Sequence, residues 1–196
     1  MEHGLDALRQ EIAAAAARLI ADSGLDYGSA KAKAARELCG TRVPKASMPD
    51  NDDVDEALRA HLELFDETHA ARVARMRQVA VDLMQALEAF HPLITGSVWK
   101  GIVAAHAPIH LQLFHDNAKE VQYWLLDRNI DFDTDVLPHF RGHGEIEAVG
   151  FTWQGEPVML SLYGTQDLRG ALRTPAGQTP VRGERGALLT RMETQA

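Results

Sequence analysis

The hydrophobic rhythm of the chain changes at Pro92, and this change constrains the fold more than any other feature. Before Pro92, apolar residues recur every three or four positions, as in amphipathic helices. After it, short segments such as residues 109–114, IHLQLF, alternate with a period of two, as in strands. A helical region followed by a small mixed sheet predicts an α+β fold. Too few strands alternate with helices for a doubly wound sheet.

The first 90 residues are predicted to form a helical region. Residues 5–21 are rich in strong helix formers, and residues 29–39 predict a second helix with Ser29 as its N-cap. The strongest pattern runs from 68 to 90, where apolar residues step by three and four. We expect this long helix to pack against the sheet that follows, because its apolar stripe is too long to leave in water.

Residues 91–164 are predicted to follow the order β-α-β-α-β and then to end in a hairpin. Asn117 is expected to cap the second helix of this region, since an Asn side chain accepts a hydrogen bond from a free backbone N–H. Residues 154–157, QGEP, predict the turn of the hairpin. Gly, Pro, Thr and Arg dominate the tail, 165–196, which predicts loops with one short helix. The chain is thus expected to divide into 1–90, 91–164 and 165–196.

Composition narrows the classes of function. A net charge of −8 does not favour broad electrostatic binding to nucleic acid. No apolar run is long enough to span a membrane, and the N-terminus lacks the pattern of a signal peptide. Cys39 is the single cysteine, so no internal disulfide is expected. A cytoplasmic protein is the simplest interpretation, with a protein partner or a second copy of the chain as candidate partners.

One short stretch, ITGSVWKG, has the pattern of an anion-binding turn. Gly96 ends a predicted strand and lets the backbone approach a ligand closely, and Ser97 follows it with a hydroxyl and an exposed backbone N–H. Lys100 and Gly101 add a cation and a second flexible point. On these residues alone, a plain strand–helix turn is the commoner structure and a phosphate site is the alternative.

Two segments, LITGSVWKG at 93–101 and PIHLQLF at 108–114, together resemble the nucleotidyltransferase superfamily of DNA polymerase β and the minimal nucleotidyltransferases of bacteria. That family carries a hydrophobic-Gly-Ser motif, an Asp-hydrophobic-Asp motif on the next strand, and a third carboxylate on a later strand. The resemblance covers residues 91–164 and implies a nucleotidyltransferase-like topology for the sheet. The residues that it implies for nucleotide binding are Gly96, Ser97, Lys100 and Gly101.

The resemblance fails at the positions that would carry catalysis. Pro108 and His110 stand where the family has its two metal-binding aspartates, and Met159 or Ser161 stands where it has the third carboxylate. The chemistry needs Mg²⁺ ions on the phosphates, and Mg²⁺ requires hard oxygen ligands. Proline offers no side-chain ligand, and methionine offers a soft sulfur. We therefore predict no catalytic residues, and neither a resident metal nor another cofactor.

Three hypotheses about function follow. The favoured one is a pseudoenzyme with a nucleotidyltransferase fold, which binds a nucleotide, another phosphate-bearing ligand or a macromolecular partner. The second is an active nucleotidyltransferase, the only case in which Mg²⁺ is expected. Its unconventional metal ligands would be drawn from His110, Asp116, Asp131 and Asp133. For the alternating Asp131, Asp133 and Asp135, an exposed edge strand, where charge deters aggregation, is the favoured explanation. The third hypothesis is a structural protein that associates through its helices.

Overall fold

A computed structural model describes residues 2–40 and 43–194 of the chain. Over these residues it has eight α-helices and a six-stranded mixed sheet, and the α+β fold class predicted from the sequence is confirmed. The helices are α1 (Glu2–Ser23), α2 (Tyr27–Cys39), α3 (Asn51–Phe65), α4 (His69–Ala86), α5 (Gly96–Lys100), α6 (Ala118–Leu126), α7 (Thr165–Leu168) and α8 (Arg185–Thr194). The strands are β1 (Leu93–Thr95), β2 (Ile109–Phe114), β3 (Phe132–Pro138), β4 (Glu145–Trp153), β5 (Glu156–Tyr163) and β6 (Arg182–Gly183).

Residue contacts divide the chain into two compact units. The helical unit comprises the described residues up to Ala71 together with Ile102–Ala107. The sheet unit comprises Arg72–Gly101 and the described residues from Pro108 onward. Within the described ranges, no helix combines the length and the apolar character that crossing a bilayer requires.

The boundaries of these units differ from those of the three segments predicted from composition. The division falls inside α4, whose residues from Arg72 onward belong to the sheet unit. An ion pair between Arg75 and Glu156, which is only 5% exposed, links this part of α4 to the first residue of β5. The tail also belongs to the sheet unit, because it supplies β6 and α8.

In the helical unit, α1 packs against α2 and α3. Small side chains line much of this core; Ala16 and Ala17 of α1 and Ala30 and Ala34 of α2 are fully buried. Because an alanine side chain ends at its Cβ, the helices can approach one another closely. The larger buried side chains of this core are Ile12, Ile20, Val54, Leu58, Leu62 and Ile102.

The start of α2 differs from the prediction. Asp26, rather than Ser29, is the N-cap, and its Oδ1 accepts a hydrogen bond from the backbone N–H of Ser29 at 3.0 Å. Both residue types are good caps, so the pattern alone did not distinguish them. The extended backbone of Asp26, with φ −66° and ψ 160°, places its carboxylate over the first turn. Hydrogen bonds from the side chain and backbone of Ser29 lower the pKa of Asp26.

The sheet has the strand order β3-β4-β5-β2-β1-β6. β2 and β5 run parallel, and all other neighbouring pairs are antiparallel. β4 and β5 form the predicted hairpin, and Gln154 and Gly155 in its turn have φ of 49° and 84°. Positive φ at both positions is the signature of a type I′ turn, which suits the twist of a hairpin. β6 was not predicted, because a strand of two residues shows no periodicity.

Strand pairing assigns each side chain to one of two faces of the sheet. On the apolar face, Ile109, Leu111 and Leu113 of β2 are at most 1% exposed. Arg77 of α4 is also buried, and its guanidinium donates to the carbonyl oxygens of Val98 at 3.1 Å and Trp99 at 3.3 Å, in the last turn of α5. Other residues of the apolar face include Ile94, Val149, Phe151, Trp153, Glu156, Val158, Leu160, Leu162 and Gly183.

Candidate functional site

The Gly-Ser motif lies where β1 ends. Gly96 follows Thr95, the last residue of β1, and turns the chain into α5 with φ of 73°, a left-handed conformation that glycine adopts without steric cost. A Cβ added at Gly96 would lie 3.5 Å from the Cβ of His110. The backbone at Gly96 therefore passes directly beside the His110 side chain, and the absence of a side chain at Gly96 keeps that space open.

His110 belongs to a row of residues that crosses the six strands on the second face of the sheet. Thr95 is its partner on β1, and Met159 is its partner on β5. The row continues from Thr95 to Arg182 on β6, and from Met159 through Gly150 to the edge strand β3. Paired residues of neighbouring strands project from the same face, so these side chains share one surface. We call the set Arg182, Thr95, His110, Met159, Gly150 and Asp133 the polar row, and the surface that bears it the polar face.

The structure brings together several positions at which the resemblance places phosphate and metal binding. Gly96 lies beside His110, and His110 is aligned with Met159 on the neighbouring strand. Pro108 immediately precedes β2, and Ser161 lies on the polar face two residues beyond Met159. None of these residues is a carboxylate. The side chains offer an imidazole, a thioether and a hydroxyl, which is not the hard oxygen set that Mg²⁺ prefers.

The remaining residues implied for nucleotide binding lie in α5 and at its end. Ser97 is half-buried, and its hydroxyl makes no hydrogen bond to any residue in the described part of the chain. Lys100 is the last residue of α5 and is also half-buried. Gly101 ends the helix with φ of 72° and donates its N–H to the carbonyl oxygens of Ser97 and Val98. With five residues, α5 is too short to build the dipole with which a full helix attracts an anion. The Ser97 hydroxyl is therefore the group of this turn that could donate a hydrogen bond to a ligand.

The four candidate metal ligands are not gathered in one cluster. His110 lies inside the sheet, whereas Asp131 precedes the exposed edge strand β3 and Asp133 lies on it. Asp116 follows β2, and its Oδ1 accepts hydrogen bonds from the backbone N–H of Thr165 at 2.9 Å and from its hydroxyl at 2.7 Å. These bonds lower the pKa of Asp116 and hold the start of α7. Where the structure describes the chain, no group of three or more His, Cys, Asp or Glu side chains is arranged to hold a metal ion.

Burial controls the charge of His110. It lowers the pKa of the imidazole below its usual value, because the charged form is poorly solvated there. The ring is therefore neutral at pH 7 and presents one donor and one acceptor nitrogen. The centre of the polar row is thus an uncharged hydrogen-bonding group between a cation at Arg182 and a carboxylate at Asp133.

Beyond the polar row, the polar face carries buried polar residues that the sequence analysis did not single out. Gln112 is only 6% exposed, and its Nε2 donates to the Oη of Tyr163 at 3.5 Å. Burial raises the pKa of Tyr163. The alternation of His110 and Gln112 within IHLQLF was a usable signal, because it places two polar side chains on one face of a strand. Arg182 had no such signal, since β6 is too short to show a period.

Comparison of the chain with protein-family models, with curated proteins and with solved structures found no match.

Proposed function

We propose that this protein is a catalytically impaired relative of the nucleotidyltransferases that acts by binding a phosphate-bearing ligand such as a nucleotide. The observation that carries the proposal is the convergence of Gly96, His110 and Met159 on one face of the sheet. These are the positions where the resembled family holds phosphates and metal ions, and no carboxylate stands at any of them. The proposal places the protein in the cytoplasm.

The donor set explains why binding, rather than transfer, is proposed. Nucleotidyl transfer needs two divalent cations to bridge the phosphates and to activate the attacking hydroxyl. A neutral imidazole and a thioether cannot replace two aspartates in that role. The same loss removes negative charge from the site, so a bare phosphate meets no carboxylate repulsion. Binding should therefore be independent of Mg²⁺ and should weaken as salt concentration rises.

Calorimetric titration of ATP and inorganic phosphate, with and without Mg²⁺ and at two salt concentrations, tests the proposal. We expect ATP to bind wild type and not Ser97→Asp, because the new carboxylate would occupy the turn and repel an anion. Ser23→Asp introduces the same charge at the exposed last residue of α1 in the helical unit and serves as the matched control.

The proposal predicts no release of pyrophosphate from labelled ATP, CTP, GTP or UTP with candidate acceptors. Metal-dependent turnover that Ser97→Asp abolishes would instead establish the active-enzyme alternative. If no anion binds wild type in the millimolar range, association through the helices becomes the leading function. The exposed Leu64 and Phe65 at the end of α3, 74% and 69% accessible, are the observation that favours that alternative.

A further inference from the structure

Arg182 is half-buried on the polar face, and two of its buried nitrogen atoms lack hydrogen-bond partners. It lies on β6 opposite Thr95, and its guanidinium stacks over the ring of Phe140 with Cζ 4.3 Å from the ring centroid. Its Nε and Nη1 are buried and donate no hydrogen bond to any described residue. No described carboxylate forms an ion pair with it. The flat surface of the guanidinium is thus covered, while N–H groups at its edge are unsatisfied.

A buried acceptor on the same face is also unsatisfied. Gln112 lies on β2, two strands in from Arg182, on the face that His110 and Arg182 share. Its side-chain nitrogen is used toward Tyr163, whereas its Oε1 is buried and accepts no hydrogen bond from any described residue. An arginine donates only, and an amide oxygen accepts only. A single ligand would satisfy both residues if it carried an acceptor for Arg182 and a donor for Gln112.

Two other arginines of the sheet unit, Arg77 and Arg141, have the partners that Arg182 lacks. Arg77 donates to two carbonyl oxygens of α5. Arg141 donates to the carbonyl oxygens of Asp167 at 3.0 Å and Arg169 at 2.9 Å, and it lies 3.4 Å from the Asp167 carboxylate. Arg182 has no comparable partner among the described residues, and burial lowers its pKa. Stacking on Phe140 compensates only part of the cost of burying its Nε and Nη1, and a bound anion would accept the hydrogen bonds that these atoms can donate.

We propose that Arg182 and Gln112 form the anchoring pair of the ligand site: the edge of the Arg182 guanidinium binds an oxyanion, and Gln112 Oε1 accepts from a neighbouring hydroxyl or amino group of the same ligand. The ligand class is therefore a small phosphorylated molecule that also carries hydrogen-bond donors. A carboxylate would satisfy Arg182 equally well, and the experiment separates the two sources. This inference deepens the proposed function and rests on it for the placement of the same ligand beside Gly96 and Ser97.

Calorimetric titration with AMP, sulfate, citrate and uncharged adenosine tests the proposal. AMP should bind wild type, and Arg182→Met should weaken it by about tenfold or more, as expected for the loss of a charge-assisted hydrogen bond. Arg182→Lys keeps the charge without the planar fork and should restore only part of the affinity. Arg173→Met, an exposed position with the same change in charge, should bind AMP as wild type does. Adenosine should not bind, and tighter binding of citrate than of AMP would reassign the site to a carboxylate and overturn the phosphate class.

Gln112→Leu separates the two halves of the anchoring pair. Sulfate accepts hydrogen bonds but has none to donate, so Gln112→Leu should leave sulfate binding unchanged while weakening that of AMP. Equal weakening of both probes, or of neither, would remove Gln112 from the site.

The stability of the unliganded protein distinguishes a binding role from a structural one. In a buffer free of multivalent anions, Arg182→Met should unfold at the same temperature as wild type or higher, because it removes two buried N–H groups that lack partners. A clearly lower midpoint, or loss of the cooperative transition, would assign Arg182 a structural role and overturn the inference.

Ser97→Asp separates failure of this inference from failure of the proposed function. If AMP binding is lost in Ser97→Asp and unchanged in Arg182→Met, the inference fails and the proposed function stands. If binding is lost in Arg182→Met and unchanged in Ser97→Asp, the Arg182 site stands and the Gly-Ser turn does not hold the ligand. If no probe binds wild type, both are wrong.

Discussion

The two faces of the sheet differ in burial and in how their polar groups are paired. On the apolar face, Leu111 and Leu160 are fully buried partners on neighbouring strands, and the buried Glu156 is paired with Arg75. On the polar face, His110 and Met159 are equally well aligned but only half-buried, and Gln112 leaves a buried acceptor unused. The strand pairing is the same for both faces, so the backbone does not cause the difference. The polar face also packs buried residues such as Leu93, Phe114 and Tyr163. The contrast between the faces therefore lies at the polar row and Gln112.

Buried polar atoms without a partner indicate where function lies in this fold. A buried polar atom without a partner costs free energy, and folding alone gives no reason to retain it. On the apolar face the buried Glu156 is paired with Arg75, although Trp153 Nε1 on that face also lacks a partner. The polar face differs in holding an unpaired donor, Arg182, and an unpaired acceptor, Gln112, and a shared ligand explains that combination better than the requirements of the fold do.

The largest expected effect is the loss of stability when a fully buried side chain of β2 is truncated, compared with a half-buried one of β5. Leu111→Ala should lower the free energy of unfolding by about 2–5 kcal/mol, because it leaves a cavity in a fully buried layer. Met159→Ala, on the half-buried opposite face, should lower it by about 1 kcal/mol or less. Urea denaturation of both variants measures the difference. Equal losses would show that the polar face is packed as tightly as the apolar face.

A glycine substitution on the apolar face should have the next largest effect. A Cβ at Gly183 would overlap the indole ring of Trp99, which is itself 2% exposed and donates from Nε1 to the carbonyl oxygen of Pro180 at 2.7 Å. Gly183→Ala should therefore destabilise the protein by about 1–3 kcal/mol, as in other overpacked cores. Thermal unfolding, with the Trp99 environment followed by fluorescence, checks this. Gly186→Ala is the control, because nothing lies within 4 Å of its added Cβ.

The polar face should respond to pH through His110. Its pKa is lowered in the folded protein, so the unfolded chain binds the proton more readily than the folded chain does. The contribution of His110 to the free energy of unfolding is fully present above the unfolded pKa of about 6.5. It is lost as the pH falls toward the lower pKa of the folded state, with a slope of at most about 1.4 kcal/mol per pH unit.

Urea denaturation at pH 7.5 and 5.5 tests this expectation. Wild type should lose more stability than His110→Asn over this interval, since the variant lacks the titrating ring. Identical losses in the two proteins would show that His110 titrates equally in the folded and unfolded states.

The smallest effect on stability is expected from Gly150→Ala, the counterpart on the polar face of Gly183→Ala. A Cβ at Gly150 would lie 3.7 Å from Met159 Cε, an ordinary van der Waals distance, and the backbone there has no positive φ. Gly150→Ala should therefore leave stability unchanged or raise it by about 0.5–1 kcal/mol, because alanine loses less backbone entropy in a strand. A loss comparable to that of Gly183→Ala would contradict the view that the two faces differ in packing.

Local chemistry made several elements predictable. Asn117 caps α6 as expected, accepting from the backbone N–H of Lys119 at 3.2 Å, and the turn at Gln154-Gly155 joins β4 to β5. Each depends on residues within a few positions, where residue type nearly determines backbone geometry. The cap of α2 was misassigned to Ser29 for the same reason, since Asp26 was an equally good local candidate. The assignment to the nucleotidyltransferases is still a prediction.

The sequence predicted most of the longer helices and strands, because periods of 3.6 and 2 appear in consecutive residues. It also predicted that a strand ends at the Gly-Ser motif, and it shows a histidine and a methionine, not carboxylates, at positions 110 and 159. The position of Arg182 on the same face as His110 and Met159 follows only from the tertiary structure. β6 pairs with β1, and the Thr95 hydroxyl donates to the carbonyl oxygen of Val181 at 2.8 Å, a contact 86 positions apart in the chain. Such contacts form because the whole sheet aligns its strands, and no local period encodes which distant residue completes the edge.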